Sequence, residues 1–131
     1  MIGLDTNCVL RYLLRDHERQ ARALSDRIDQ EIDAGHSMFI NDIVLAELVW
    51  TLGAAYGFDR TRIARAIERM TASSQFEFEN KSDILAALTG FHASAPGFVD
   101  CLIGAKNRRL GCKTTLTFDK AAQRLADFDG V

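Results

Sequence analysis

The sequence predicts an α/β fold in which helices cover both faces of a short parallel sheet, giving three α/β/α layers, and three observations predict it. Short apolar runs alternate with amphipathic stretches of helical period along the chain, the connections between them are short, and no repeat, linker or low-complexity tract interrupts them. A chain of 131 residues is expected to form one domain, residues 1–131, with a core of its own. Hydrophobic residues make up 47% and charged residues 26%, with one proline and nine glycines, which is the profile of a soluble globular protein and excludes a disordered one.

Each element has its own signal. Residues 2–5 are an apolar run ending in an acid, and Thr6-Asn7 then leads into an apolar segment to Leu14, so a buried strand runs into a helix. From Arg19 to Ala34, Ala21, Leu24, Ile28 and Ile32 recur every three or four positions, and Gly35 stops the helix. Ser37–Ile40 is a second strand. Asn41 or Asp42 caps a helix through Tyr56, ended by Gly57, and Asp59 caps another whose stripe is Ile63, Ile67 and Met70. Gln75–Glu79 alternates phenylalanine with acid, the pattern of an edge strand with one wet face. Ser82 is placed to cap a helix with Ile84, Leu85, Leu88 and Phe91 inward. After Pro96-Gly97 a helix runs from Phe98 to Leu110 and is closed by Gly111; a strand from Lys113 to Thr117 and a last helix opening near Asp119 follow.

Charge and cysteine content narrow the function. The net charge is -2 and the pI about 5.9, so nucleic-acid binding would need a local basic surface. Cys8, Cys101 and Cys112 are odd in number and unclustered, which argues against a disulfide scaffold and a structural zinc. An acid at position 5 stands where a signal peptide would be apolar, and no run of about 18 apolar residues is present, so neither secretion nor a membrane helix is expected and the expected home is the cytoplasm.

In parallel sheets ligands sit beyond the carboxyl ends of the strands. Asp5 ends the first strand, Glu47 lies in the first half of the helix after the second, Asp100 opens the helix after Gly97, and Asp119 follows the strand ending at Thr117, so all four are expected at one sheet edge. Glu47 has apolar neighbours, Ile43, Val44, Leu45, Leu48 and Val49, among which an unpaired charge is costly. No basic residue is placed to neutralise four converging acids, whereas a hard divalent cation, Mg²⁺ or Mn²⁺, would remove their repulsion and activate a water against a phosphodiester. Taken singly, Asp5 and Asp119 also suit helix N-caps, Asp100 a first-turn acid and Glu47 a surface residue; the joint placement carries the metal reading. His17, His36 and His92 lack ligand spacing and read as surface or helix-end residues. Arg11 and Arg15, with Lys106, Arg108, Arg109 and Lys113, offer a basic rim for an RNA backbone, although cations near a helix C-terminus also complement its dipole. Trp50 and Tyr56 read first as core, then as a dimer surface, and Cys8 and Cys101 as small buried hydrophobes.

Four segments, Leu4-Asp5-Thr6-Asn7-Cys8-Val9-Leu10, Ile43 to Leu52, Gly97-Phe98-Val99-Asp100-Cys101-Leu102-Ile103 and Leu116-Thr117-Phe118-Asp119-Lys120, resemble in order the PIN-domain ribonucleases, specifically the VapC toxins. The resemblance covers nearly the whole chain. It implies a PIN-like fold and an acidic metal-binding quartet of Asp5, Glu47, Asp100 and Asp119, with Asp5 and Asp100 as direct ligands and Thr6, Asn7 and Thr117 as supporting polar residues. It also implies Mg²⁺ (or Mn²⁺), a homodimer, endonucleolytic cleavage of tRNA or rRNA, and silencing by a cognate antitoxin. The family's last edge strand is expected to be very short, since only Phe128-Asp129-Gly130 precedes Val131. Two rivals remain. A haloacid-dehalogenase-like phosphatase also begins with a strand ending in Asp, but Asn7 stands where its second acid would be. A non-catalytic binding module on a PIN-like fold is the other. Dinucleotide binding is poorer, because no GxGxxG follows the first strand.

Overall fold

A computed structural model describes residues Met1–Val131, which divide into two compact units, Met1–Glu79 and Asn80–Val131. The fold belongs to the three-layer α/β/α class with short parallel strands, as the alternation predicts, and every strand pairing is parallel.

The first unit runs β1 (Ile2–Gly3), α1 (Thr6–Leu14), α2 (Glu18–Asp33), β2 (Met38–Ile40), α3 (Asp42–Ala54), α4 (Arg60–Ala72) and β3 (Phe76–Phe78). Its sheet has the order β1-β2-β3, with Ile2 opposite Met38 and Met38 opposite Phe76, so β3 is the expected edge strand. Each helix begins on a side chain that accepts the N–H three residues on: Asp5 from Cys8 at 2.9 Å, His17 from Gln20 at 3.3 Å, Asn41 from Val44 at 2.8 Å and Asp59 from Arg62 at 2.8 Å. Gly35 and Gly57, at φ +87° and +66°, turn the chain out of α2 and away from α3. The core is built from Val9, Leu10, Ile28, Met38, Ile40, Leu45, Leu48, Leu52, Ile67 and Met70. Helix α3 ends at Ala54, two residues before the expected Tyr56, whose hydroxyl donates to Asp16 at 3.0 Å.

The second unit runs α5 (Lys81–Ala93), α6 (Phe98–Arg109), β4 (Thr115–Thr117), a single 3-10 turn (Ala122–Arg124) and β5 (Phe128–Gly130). Helix α5 packs on α6, with Phe91 and Phe98 edge to face at 5.9 Å. Five expectations are corrected in this unit. The cap of α5 is Asn80, not Ser82; Asn80 Oδ1 accepts the Asp83 N–H at 3.3 Å and the Ser82 hydroxyl besides. Leu85 is exposed, because Ile84, Ala87, Leu88 and Phe91 complete a stripe that leaves it to one side. The strand expected from Lys113 forms ladder pairs only from Thr115, and α6 ends at Arg109 with Leu110 as its cap. The expected last helix is only the 3-10 turn. Asp119 Oδ1 accepts the N–H groups of Ala121 at 2.7 Å and Ala122 at 3.2 Å, tightening the start, and the chain must then reach β5 within a few residues. The short last strand does form, with Thr115 opposite Phe128 and Thr117 opposite Gly130.

Candidate functional site

The carboxyl edge of the β1-β2-β3 sheet is acidic. Asp5 follows β1, Asp42 follows β2 by two residues, and Glu79 directly follows β3. Asp5 is exposed, and its Oδ1 is taken by the Cys8 N–H. Thr6 Oγ1 donates to Glu47 Oε2 at 3.1 Å, which ties the acid in α3 to the first turn of α1. Asn7 lines with Asp5, Cys8 and Arg11 a hollow of about 310 Å³ beside this edge. Asp42 and Glu79 were not singled out from sequence, and the Asp42 N–H donates to Glu79 Oε1 at 3.1 Å. Their signal was available, since each closely follows a strand. Cys8 is half-buried, and burial, aided by a hydrogen bond to Asp5 and by its charge, pushes its thiol up from its ordinary pKa.

Helix α3 is oriented differently from expectation. Val44, Leu45, Leu48, Val49 and Leu52 face inward, and at 100° per residue this leaves Ile43, Glu47 and Trp50 together on the outer face. Glu47 is therefore exposed and escapes the desolvation that its apolar neighbours implied. Trp50, expected first in the core, is 71% exposed, and Ile43 is 69% exposed.

The second unit carries the other two acids. Asp100 lies in the first turn of α6, whose N-cap Gly97 has no side chain to offer. Burial, and then the charge of Asp119, hold the Asp100 carboxyl above the usual aspartate range, against the Gly97 N–H, which bonds the carboxylate and favours ionisation. Asp119 is exposed just past β4; its N–H donates to Thr117 Oγ1 at 3.0 Å, and Oδ1 caps the 3-10 turn. The capping readings of Asp5 and Asp119 thus hold alongside any other role, because each cap uses one oxygen.

None of Asp5, Glu47, Asp100 and Asp119 forms an ion pair. Within neither unit do three or more His, Cys, Asp or Glu side chains gather as a metal-holding group; Asp5 and Glu47 belong to the first unit, and Asp100 and Asp119, close enough for their charges to interact, to the second. The donor chemistry of these acids, carboxylate oxygens alone, fits a hard divalent ion and not zinc. Of the expected basic rim, Arg11 pairs with Asp16 at 3.3 Å, Arg108 with Asp127, and Arg109 with the buried Asp83 at 2.8 Å, so these charges are already partly compensated. The histidines stand at helix ends as expected: His17 caps α2, His36 follows it and meets Glu31 at 2.7 Å, and His92 is in the last turn of α5. Cys101 is buried.

The chain, with its parallel strands and acids just past strand ends, matches the model of the PIN domain over residues 2–128 and belongs to the PIN-domain family. A relative named VapC ribonuclease, from Aquifex aeolicus (strain VF5), is 25% identical over 122 residues, covering 93% of this chain and 90% of that protein. No solved structure matches. No helix is long and apolar enough to cross a membrane.

Proposed function

We propose that the chain is a metal-dependent endoribonuclease, working as one PIN domain, and the toxin of a toxin-antitoxin pair that cleaves tRNA or rRNA in the cytoplasm, as a homodimer silenced by its antitoxin. One observation carries the catalytic part: Asp100 is held above its ordinary pKa by burial and by Asp119, with no cation of the chain paired to either. A part-buried carboxyl beside a second acid, with no cation of the chain against either, is a donor set that a hard cation suits.

In this reading Asp5, Glu47, Asp100 and Asp119 supply the oxygens that hold Mg²⁺ or Mn²⁺, with Asp5 and Asp100 as direct ligands. When bound, the ion lowers the pKa of a water and stabilises charge on the phosphodiester. The chain's own residues set the stage. Thr6 fixes the Glu47 carboxylate through its 3.1 Å hydrogen bond, and Thr117 fixes the backbone of Asp119 at 3.0 Å. Asn7 stands beside Asp5 on the same hollow. The caps at Asp5 and Asp119 leave their second oxygens for the ion. The family membership and the VapC-named relative support the RNA substrate and the toxin role.

The test is cleavage of total tRNA and rRNA by the purified chain. Cleavage is expected with Mg²⁺ or Mn²⁺, to be poor with Ca²⁺, and to stop in EDTA. Asp5→Asn and Asp100→Asn are each expected to slow it by about a hundredfold or more, the equivalent of about 3 kcal/mol of transition-state stabilisation, and to abolish toxicity on induction. Cleavage that persists in EDTA, or at the wild-type rate in both variants, overturns the metal-nuclease reading, and a trapped aspartyl-phosphate on Asp5 replaces it with a phosphatase.

A further inference from the structure

Helix α4 is the most arginine-rich helix of the chain. Helix α4 carries four arginines, Arg60, Arg62, Arg65 and Arg69, against one acid, Glu68. Arg62, Arg65 and Arg69 recur at i, i+3 and i+7, which puts them in a row on one helix face, and all three are exposed. None of the three is in an ion pair. With Leu13, Leu14 and Phe58 they line a hollow of about 380 Å³ at the far end of α1 from Asp5. The Arg62 guanidinium lies over the Phe58 ring, 3.8 Å from its centroid, which fixes its plane.

We propose that this face of α4 is a contact track for the backbone of a single-stranded RNA, with Arg62, Arg65 and Arg69 on successive phosphates and the stacked Arg62–Phe58 pair as a platform for a base. The inference rests on the nuclease reading and adds to it where the strand runs. A row of guanidinium groups spaced about 4.5 and 6 Å along the axis, at 1.5 Å rise per residue, suits a ligand whose charges repeat along a line. The guanidinium plane held on an aromatic ring suits a base, which stacks on such planes. An acidic peptide would satisfy the charges but has no use for that platform. The nine residues from Asp5 to Leu14 span about 13 Å of helix, so the track engages nucleotides beyond the one at Asp5 and favours a long substrate over a dinucleotide. The arginines at this hollow also supply what the expected rim lacks, since Arg11, Arg108 and Arg109 are engaged by acids.

The experiment measures binding of a fluorescein-labelled single-stranded RNA of about 20 nucleotides by anisotropy, in EDTA so that nothing is cleaved, over a series of salt concentrations. Loss of three phosphate contacts lowers the slope of log K against log salt by about 2, at about 0.7 per contact for a single strand. The full chain with Arg62→Gln, Arg65→Gln and Arg69→Gln is expected to show that fall in slope together with at least tenfold weaker binding, while Arg65→Gln alone, which keeps the Arg62–Phe58 stack, loses about 0.7. The triple Lys variant is expected to keep the slope but bind more weakly, because the ammonium gives charge without the stacking plane. Unchanged slope and affinity in both Gln variants overturn the track. So does polyglutamate binding the wild type as tightly as the RNA at equal salt and suffering the same loss in the triple Gln variant, which assigns the face to an acidic protein. If the wild type binds RNA through these arginines yet cuts none with Mg²⁺, the track stands and the nuclease reading alone fails.

Discussion

Asp100 makes the acidic site measurable without substrate. Its carboxyl is raised, first by burial and then by Asp119, so the folded chain keeps this proton to a higher pH than the unfolded chain does. In that window the folded state binds more protons, and stability falls as the pH rises from the ordinary aspartate range, about 3.9, through the folded value. Asp100→Asn removes this loss. In EDTA, thermal melts from about pH 3 to about pH 7 should show wild type and variant converging at the acid end and the variant melting no lower at neutral pH. Adding Mg²⁺ should raise only the wild type, because the ion binds its folded state and has lost a ligand in the variant. A variant that melts lower than wild type at neutral pH in EDTA would show that the charged Asp100 carboxylate does not destabilise the fold through its burial and its neighbour Asp119. Residues like Asp100 were legible in the sequence because each sits next to a strand end or a helix start, and the three histidines were read as surface or helix-end residues because they lack ligand spacing. Glu47 and Trp50 were misplaced for a physical reason. The segment from Ile43 to Leu52 is apolar almost all round, so it has no polar face from which to read the side that points outward.

At the scale of elements, α6 and α5 each hold a feature the sequence hid. Gly104 lies in the middle of α6, where a Cβ would come within 2.7 Å of Phe128 Cε2 and 3.0 Å of Asp127 Cβ, so β5 approaches the helix only because this residue is glycine. Gly104→Ala should therefore destabilise by about 1–3 kcal/mol, outweighing the gain of about 1 kcal/mol that alanine brings to a helix interior; urea unfolding with an unshifted or higher midpoint would refute that close approach. Asp83, on α5, is 3% exposed and takes Arg109 Nε on both oxygens at 2.8 and 2.9 Å. Breaking a buried pair costs about 3–5 kcal/mol, and since the Arg109 end is 39% exposed Asp83→Ala should cost less, about 2 kcal/mol, read as the shift in the urea midpoint times m. Asp83 was not singled out in the sequence and Arg109 was read as part of an RNA rim, because a pair 26 residues apart in sequence has no local signal. Helix periods, strand runs and glycine stops were legible; the choice between Asn80 and Ser82 as cap was not, since both side chains can accept an N–H and only the path of the chain into α5 decides. The short β5 was legible only through the family resemblance, and the 3-10 turn was missed because an acid that starts a helix and one that closes a tight turn look alike in one dimension.

For the whole molecule, the outer face of α3 bears on assembly. Ile43 and Trp50, 69% and 71% exposed, flank Glu47 on that face, an arrangement of large apolar side chains that a lone soluble domain rarely leaves in water. Aromatic side chains of this kind are the usual centre of an interface between proteins, and a tryptophan there commonly accounts for 2 kcal/mol or more of binding. The homodimer proposed above therefore has a specific test. Light scattering at about micromolar concentration should give twice the chain mass, and Trp50→Ala should raise the dimer dissociation constant by about thirtyfold or more, the equivalent of about 2 kcal/mol, with circular dichroism unchanged because Trp50 contributes little to its own unit's core. Glu47 gives a second reading of the same interface. A dimer that covers Ile43 and Trp50 also takes the charge of Glu47 out of water, which is costly unless a cation or a hydrogen bond meets it. Thr6 supplies one hydrogen bond at 3.1 Å, and a bound Mg²⁺ would supply the charge. Dimerisation through this face should accordingly be tighter with Mg²⁺ than in EDTA, and Glu47→Gln should dimerise equally in both. A wild type that stays monomeric at micromolar concentration with Mg²⁺ present removes the dimer, and a dimer indifferent to both Trp50→Ala and Mg²⁺ moves the interface to another face.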